Sequence, residues 1–417
     1  MRILQVIVPF LIAGLGTCFA GIILDHVQYW EVFAKVDILF ILLPALLGLK
    51  GNLQMTLASR FSTHSHLGHI QTREDLLSLT CANLSLNQCL SIVISLSASL
   101  LAVIIHIVGT DLPLDGKHAL LITATALLTS SVTSFLLDIL MIMVVQISAI
   151  FSINPDNVAT PIAASLGDMT ALVLCSFLAD SFWASINSEA FYWLTSIVIV
   201  FYLILIPTWA TVTQDNIHTS KILMESSHWY PLITAMIISS ISGVILKSAV
   251  AKSEDIALFQ PVICGVGGNL VAVQSSRLST LLHRNAEIGT LPRGENICMN
   301  PLNMLTVTKP GFEITRLLIV IVIPGQLIFY FFSIYVNSQT TELSWPFLVM
   351  YLLASEVQVV TLLYLAYVLT FLFWSYGIDP DSSCIPYLTS ISDVLGACLI
   401  TLICLVAVPS PNEAGPL

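Results

Sequence analysis

The sequence predicts an all-α polytopic membrane protein with two parallel five-helix repeats joined by one linking transmembrane helix, about eleven spans in all. Composition is the first reason, because 56% of the 417 residues are hydrophobic and only 9% are charged. A typical soluble domain has about 25% charged residues. The second reason is a series of apolar runs, each long enough as a helix to cross roughly 30 Å of hydrocarbon. The third is an internal repeat.

The apolar runs form two sets of five, with one unpaired run between them. Five spans carry the chain to the opposite side of the membrane and the linking span returns it, so both repeats have the same orientation. The predicted spans lie near 3–24, 38–59, 82–108, 118–150 and 158–180, then 190–212, then 230–250, 257–279, 314–337, 344–375 and 385–408. The predicted domains are 1–182 for the first repeat, 183–228 for the linking helix and loop, and 229–417 for the second repeat.

The first span could instead be a signal peptide, because Arg2 precedes a short apolar stretch that ends in small residues. The repeat favours a retained helix. VPFLIAGLGTCFAGIIL near the N-terminus aligns with YPLITAMIISSISGVIL in mid-chain, which places Pro9 on Pro231 and Gly21 on Gly243. We therefore expect the first segment to span the membrane.

Charge distribution predicts the orientation of the chain. Nine Lys and Arg residues fall on the N-terminal side of the predicted spans and four on the other side, so the N-terminus is expected to be cytoplasmic, or on the matrix side in an organelle. The C-terminus then lies on the opposite side. A plasma membrane or a mitochondrial inner membrane fits this pattern. The net charge is -11, no nucleic-acid partner is expected, and the lipid bilayer is the expected surrounding.

Two Gly-Asn segments are the most unusual part of the repeat. PALLGLKGNLQMTLASRFST begins at Pro44 and PVICGVGGNLVAVQSSRLST begins at Pro261. We expect proline and glycine to break these helices, and irregular backbone at membrane depth is tolerated where it is buried or lines a watery cavity. Ordinary spanning helices also contain Gly and Pro, which is the alternative. The candidate pore-lining residues are Asn52, Asn269, Gly51, Gly267, Gly268, Gln274, Pro44, Pro261, Lys50, Thr389 and Ser165.

A second pair of matching strings contains acids within apolar segments. NPDNVATPIAASLGD ends at Asp168 and DPDSSCIPYLTSISD ends at Asp393. A charged side chain at the bilayer centre costs about 2.5–3.5 kcal/mol on insertion scales, so we expect each acid to have a specific role. We expect the two carboxylates to face each other and bind a divalent cation, and helix–helix hydrogen bonds are the alternative. Weaker candidates are Asp138, Glu356, Asp156 and Asp381.

Lys50 distinguishes the two halves, because the second repeat has Gly267 at the corresponding position. Two alternatives are open for this side chain. It could pair with Asp168 as a tethered cation that makes the halves inequivalent, or it could extend to the membrane interface.

An enzyme is the rival class, since intramembrane aspartyl proteases also use two membrane aspartates as general acid and base. That family requires Gly-x-Gly-Asp, whereas Ser165 stands at the first position of the string that ends at Asp168. No catalytic residue is therefore assigned. A membrane scaffold without transport leaves the paired acids unexplained.

The string from Pro261 to Gln274, together with DPDSSCIPYLTSISDVLG, resembles the transmembrane domain of the MgtE magnesium channels. The duplicated form, with GLKGN and then GVGGN, is similar to the animal solute carrier family 41 of magnesium transporters. The resemblance implies that Mg²⁺ is the transported ion, that Asp393 is a Mg²⁺ ligand and that Asp168 is its partner. It also implies either Na⁺-coupled exchange or efflux, as usually described for the animal family, or a Mg²⁺ channel without Na⁺ coupling.

Overall fold

The computed structural model describes most of the chain. The described residues are 4–66, 72–109, 115–150, 155–188, 193–215, 217–252, 255–292, 296–301, 312–337 and 345–407.

Thirteen helices are described, and these residues contain no strand. The helices are α1 (Leu4–Val27), α2 (Glu31–Lys35), α3 (Ile38–His66), α4 (Arg73–Gly109), α5 (Gly116–Ile150), α6 (Pro155–Ile186), α7 (Leu194–Gln214), α8 (Ile217–Met224), α9 (Ser226–Val250), α10 (Asp255–Asn285), α11 (Phe312–Val336), α12 (Trp345–Ser375) and α13 (Pro380–Ala407). All of them except α2 and α8 are long and apolar enough to cross a membrane, which makes 11 candidate spans. The predicted all-α polytopic class is confirmed.

Helix α4 begins well before its apolar run, and a local motif explains why. The Thr72 hydroxyl accepts a hydrogen bond from the Asp75 backbone N–H at 3.1 Å, and the Asp75 carboxylate accepts one from the Thr72 N–H at 3.0 Å. This reciprocal pair satisfies N–H groups that the first turn of a helix leaves free. The helix therefore begins at Arg73, whereas hydrophobicity alone predicted a start near residue 82.

The expectation of broken Gly-Asn segments is wrong. Helix α3 runs unbroken through Pro44, and α10 runs unbroken through Pro261. Among the described glycines only Gly289 and Gly377 have a positive φ, and both lie outside the helices. Proline removes one backbone hydrogen bond, but neighbouring helices let a spanning helix tolerate that loss. Gly267 provides room for neighbouring side chains without interrupting the helix, whereas a Cβ added to Gly51 would meet no described atom within 4 Å.

The described chain forms two compact units. Unit 1 contains Met1–His26 and Val244–Leu417, and unit 2 contains Val27–Gly243. Helix α1 thus belongs with the helices of the second sequence repeat, whereas most of α9 belongs with those of the first. Compact units and sequence repeats group the helices differently, and the predicted repeat boundaries at 1–182, 183–228 and 229–417 stay predictions about the sequence.

Each unit contains one helix from the other sequence repeat, and that helix makes a close backbone contact at a glycine. A Cβ added to Gly21 of α1 would collide with the backbone carbonyl of Leu258 in unit 1. A Cβ added to Gly243 of α9 would collide with the backbone of Ile41 in unit 2. Small residues let membrane helices approach this closely. Because Gly21 aligns with Gly243 in the sequence, the two helices make their close contacts at equivalent glycines.

Aromatic side chains complete the packing of α1 in unit 1. The rings of Phe10 and Phe329 lie 5.5 Å apart, and Phe329 is fully buried. On the neighbouring α10, the Phe259 ring stacks on Tyr330 at 5.1 Å. Aromatic pairs at these separations contribute about 0.5–1.5 kcal/mol beyond the area that they bury. Helix α1 is thus an integral part of the core of unit 1, as expected for a retained spanning helix.

We predict that Gly243→Ala lowers the free energy of unfolding by about 1–3 kcal/mol, because the added methyl group must displace the backbone of α3. The measurement is the midpoint of thermal unfolding of the purified protein in detergent. Gly109→Ala is the control, since its Cβ would meet no described atom within 4 Å. Equal midpoints for the two variants would contradict the close contact.

Candidate functional site

In unit 1 the candidate residues lie where α10, α12 and α13 meet. Helices α10 and α13 pack against each other along much of their length, and α12 packs against both. Helix α10 contributes Gly267, Gly268, Asn269 and Gln274, and α13 contributes the candidate acid Asp393. Asp393 is half-buried.

A chain of hydrogen bonds holds the backbone of α13 beside Asp393. The Gln358 amide of α12 donates to the carbonyl and to the hydroxyl of Ser392, both at 3.1 Å. The Ser392 hydroxyl donates to the Cys264 carbonyl of α10 at 2.9 Å, and the Cys264 thiol donates to the Asp393 carbonyl at 3.4 Å. Three helices are thereby fixed around the residue that carries the carboxylate.

Gly267 makes this junction possible. A Cβ at this position would lie 2.7 Å from the Ser392 hydroxyl oxygen and 2.8 Å from the Gln358 amide nitrogen. The adjacent Gly268 is less crowded, because its Cβ would lie 3.8 Å from a methyl carbon of Thr389. Thr389 is half-buried and lies one helical turn before Asp393, so the two side chains share a face of α13.

Several buried polar atoms of α10 and α12 have no hydrogen-bond partner within the described part of the chain. They are Asn269 Nδ2, Gln274 Oε1, Gln358 Oε1 and Glu356 Oε2. An unpaired buried polar atom costs about 1–3 kcal/mol, so most such atoms in folded proteins bind a partner, a water or a ligand. Unit 1 therefore retains unused polar groups close to the candidate residues of α10.

In unit 2 the described polar cluster centres on Lys50. This side chain is fully buried, and its ammonium donates to the Ser91 hydroxyl, the Ser130 carbonyl and hydroxyl, and the Ser134 hydroxyl at 2.6–2.9 Å. These described partners all belong to α4 and α5. Extension of Lys50 to the membrane interface is therefore wrong, and its described partners do not include Asp168.

Asp138 of α5 belongs to the same cluster. It is fully buried, and its Oδ1 accepts a hydrogen bond from the Asn87 amide at 3.0 Å. Lys50 and Arg60 lie close enough to act on its charge, and the Gln54 amide lies beside it. Arg60 in turn donates to the Asn87 side-chain oxygen at 3.1 Å. One acid and two bases thus share a polar interior between α3, α4 and α5.

Sequence reasoning missed most of this cluster, although the spacing of its polar residues indicates it. Polar side chains recur every fourth residue on three helices, so each helix has a polar stripe along one face. The stripes are Lys50 and Gln54 on α3, Asn83, Asn87, Ser91 and Ser95 on α4, and Ser130, Ser134 and Asp138 on α5. Stripes of this kind inside apolar helices predict helix–helix hydrogen bonds.

The remaining candidates lie on α3, α6, α10 and α13. Asp168 is half-buried on α6, a helix that packs along α3. On α3, Pro44 and Asn52 are buried and Gly51 is half-buried, while Pro261 is buried on α10. The side chains of Ser165, Asp156 and Asp381 lie outside the described residues. Over the described ranges, no group of three or more His, Cys, Asp and Glu side chains is placed to hold a metal ion.

Comparison with known proteins gives a consistent result. The sequence profile of MgtE, described as a divalent cation transporter, matches residues 43–179 and 260–403. Each match begins at a Gly-Asn segment and extends beyond the candidate acid, Asp168 in one and Asp393 in the other.

Curated relatives match nearly the whole chain. Solute carrier family 41 member 2 of Homo sapiens is 42% identical over 407 residues, which cover 96% of this chain and 69% of the relative. Member 3 of Mus musculus is 40% identical over 401 residues, which cover 95% of this chain and 81% of the relative. No solved structure matches.

The two adjacent glycines of α10 provide a matched pair of variants. We predict that Gly267→Ala lowers the free energy of unfolding by about 1–3 kcal/mol, because its methyl group must displace Gln358 or Ser392. Gly268→Ala should change it by less than about 0.5 kcal/mol, since its methyl group makes an ordinary contact. Thermal unfolding in detergent measures both. Indistinguishable midpoints would show that the junction is looser than described.

Proposed function

Because this chain belongs to the MgtE family of divalent cation transporters and to solute carrier family 41, we propose that it carries Mg²⁺ across a membrane. The relatives are solute carriers and not enzymes, so the chain is a transporter and the aspartyl protease hypothesis is abandoned. The observation that carries the proposal is the duplication. Both segments that match the family contain an aspartate at the equivalent position of an apolar helix.

We assign Asp168 and Asp393 as the carboxylates that bind the transported ion. Both are half-buried, and each lies on a helix that packs against the Gly-Asn helix of its own unit. An acid kept inside a spanning segment marks an ion pathway more often than a structural role. The proposal that both bind the same ion rests on their equivalent positions in the repeat.

The chemistry of the neighbouring side chains suits Mg²⁺. This ion prefers oxygen ligands, dehydrates reluctantly and is usually bound through one or two carboxylates and several waters. Its hydration waters then need hydrogen-bond acceptors. Gln274 Oε1 is a buried acceptor with no partner among the described residues, and the Thr389 hydroxyl lies one turn from Asp393. A pathway for a hydrated cation uses groups of this kind.

The membrane potential separates two modes of transport. Moving a divalent cation through 100 mV involves about 4.6 kcal/mol, at about 2.3 kcal/mol per charge. Inward flow through a channel is therefore downhill, whereas efflux needs a second gradient. Na⁺-coupled exchange or efflux is our proposal from the resemblance to the animal family. A Mg²⁺ channel is the alternative, and it needs no second ion.

We also propose an orientation, a membrane and an oligomeric state for the protein. The excess of basic residues on the N-terminal side favours a cytoplasmic or matrix N-terminus, in a plasma membrane or a mitochondrial inner membrane. A single chain contains both family segments, so a monomer is the proposed transporting form. Chemical cross-linking in membranes tests this, and an obligate dimer would contradict it.

We predict that Asp168→Asn combined with Asp393→Asn reduces Mg²⁺ flux into proteoliposomes at least about tenfold, because a charge-assisted interaction with the ion contributes about 1.5–3 kcal/mol. The control is Asp180→Asn, which changes an exposed acid on the same helix as Asp168. Equal flux in the wild type and a folded double variant would make the paired acids structural.

A separate experiment distinguishes the exchanger from the channel. We expect Mg²⁺ movement in wild-type proteoliposomes to reverse direction when the Na⁺ gradient is reversed at zero membrane potential, because exchange ties the two ions together. The control gradient is choline. Flux that follows the membrane potential and ignores Na⁺ would establish the channel.

A further inference from the structure

The surroundings of the Lys50 ammonium resemble the coordination shell of a cation. Four oxygen atoms lie around Nζ, with Ser91 Oγ at 2.9 Å, Ser130 O at 2.6 Å, Ser130 Oγ at 2.7 Å and Ser134 Oγ at 2.8 Å. They are hydroxyl and carbonyl oxygens, and none is a carboxylate. Backbone carbonyl oxygens, which are neutral like these four atoms, replace the hydration shell of K⁺ in channel filters. We call these four atoms the oxygen cage.

The oxygen cage is built into the contact between two helices. Its three serines are buried, and the Ser91 and Ser130 hydroxyls also lie 2.7 Å from each other. Ser134 donates a further hydrogen bond to the Ser91 hydroxyl at 3.1 Å. The serines therefore hold one another in place, which allows the cage to keep its shape.

Further polar atoms lie one helical turn away from the cage. Both amide atoms of Gln54 and the Oδ2 atom of Asp138 are buried without a well-aligned hydrogen bond in the described ranges, and the two side chains lie beside each other. Gln54 follows Lys50 by one turn on α3, and Asp138 follows Ser134 by one turn on α5. The Asp138 carboxyl group lies close enough to the Lys50 ammonium to interact with it electrostatically. The interior next to the oxygen cage is therefore polar as well.

Unit 1 has no charged side chain at the position that corresponds to Lys50. Gly267 stands at the position that corresponds to Lys50, and the space next to it is taken by the neutral amide of Gln358. That amide donates to Ser392 at 3.1 Å. Among the described residues, a fully buried basic side chain is found at Lys50 of unit 2 and at no position of unit 1. Burying an ammonium costs several kcal/mol unless it is well compensated, and in unit 2 the four oxygen partners provide that compensation.

We propose that Lys50 is a tethered cation that occupies a monovalent-cation site in unit 2, and that the oxygen cage binds K⁺ when position 50 is small and neutral. The size of the cage selects this class of ion. Mg²⁺ takes oxygen ligands at about 2.0–2.1 Å and Ca²⁺ at about 2.3–2.6 Å, whereas the cage distances are 2.6–2.9 Å. The cage is too wide for Mg²⁺. Lys50 prevents a competing monovalent ion from binding in unit 2.

The test is Lys50→Ala, purified and unfolded thermally in the chlorides of K⁺, Na⁺, ammonium and N-methyl-D-glucamine. We expect K⁺ and ammonium to raise the unfolding midpoint of this variant by about 5 °C over N-methyl-D-glucamine, because ligands that bind only the folded state stabilise it. Na⁺ should raise the midpoint less. The wild type should show no difference among the four salts, since its own ammonium fills the cage.

Lys50→Gln is the matched control, because its neutral amide fills the cage and should abolish the response to K⁺. An equal response in Lys50→Ala, Lys50→Gln and the wild type would overturn the proposal, as would no response in Lys50→Ala. If Lys50→Ala fails to fold in N-methyl-D-glucamine, recovery in K⁺ supports the proposal. Failure of both Lys50→Ala and Lys50→Ser in every salt contradicts it. These readouts are independent of Mg²⁺ flux, so the result stands apart from the proposed function.

Discussion

A polar group inside hydrocarbon has no water to bond, and this constraint governs how the helices of the chain pack. The stripe of Lys50 and Gln54 on α3 packs against the polar stripes of α4 and α5, where the ammonium finds four oxygen partners. Outside the stripes, the Gln88 amide of α4 donates to the Ser131 carbonyl of α5 and accepts from the Ser131 hydroxyl. Polar contacts therefore help to determine how α3, α4 and α5 pair and how each is rotated about its axis.

The two halves of the chain meet this constraint in different ways. Unit 2 uses a charge, with Lys50, Arg60 and Asp138 sharing one interior. Unit 1 uses glycine and a neutral amide, with Gln358 beside Gly267. Once a gene is duplicated, a position that had to be the same in two subunits is free to differ. The two halves are therefore inequivalent at this position, where one has Lys50 and the other Gly267.

Much of the fold follows from the sequence alone, because hydrocarbon thickness and helical rise convert apolar length directly into a number of spans. The count, the linking helix and the equivalence of Gly21 with Gly243 could all be predicted. Helix ends could not, since the start of α4 depends on the Thr72 and Asp75 hydrogen bonds. Breaks at the Gly-Asn segments were wrongly expected, because proline and glycine leave the choice between break and close contact to their neighbours.

The sequence by itself determined the class, the spans, the duplication and the acids that stand out in apolar segments. Tertiary structure alone decided which helix joins which unit, because the aligned glycines Gly21 and Gly243 do not specify which repeat their helix contacts. It also decided the partners of Lys50. A lone lysine in an apolar run can pair with an acid, reach the interface or be surrounded by hydroxyls. Only the packing of α4 and α5 against α3 brings Ser91, Ser130 and Ser134 to one point.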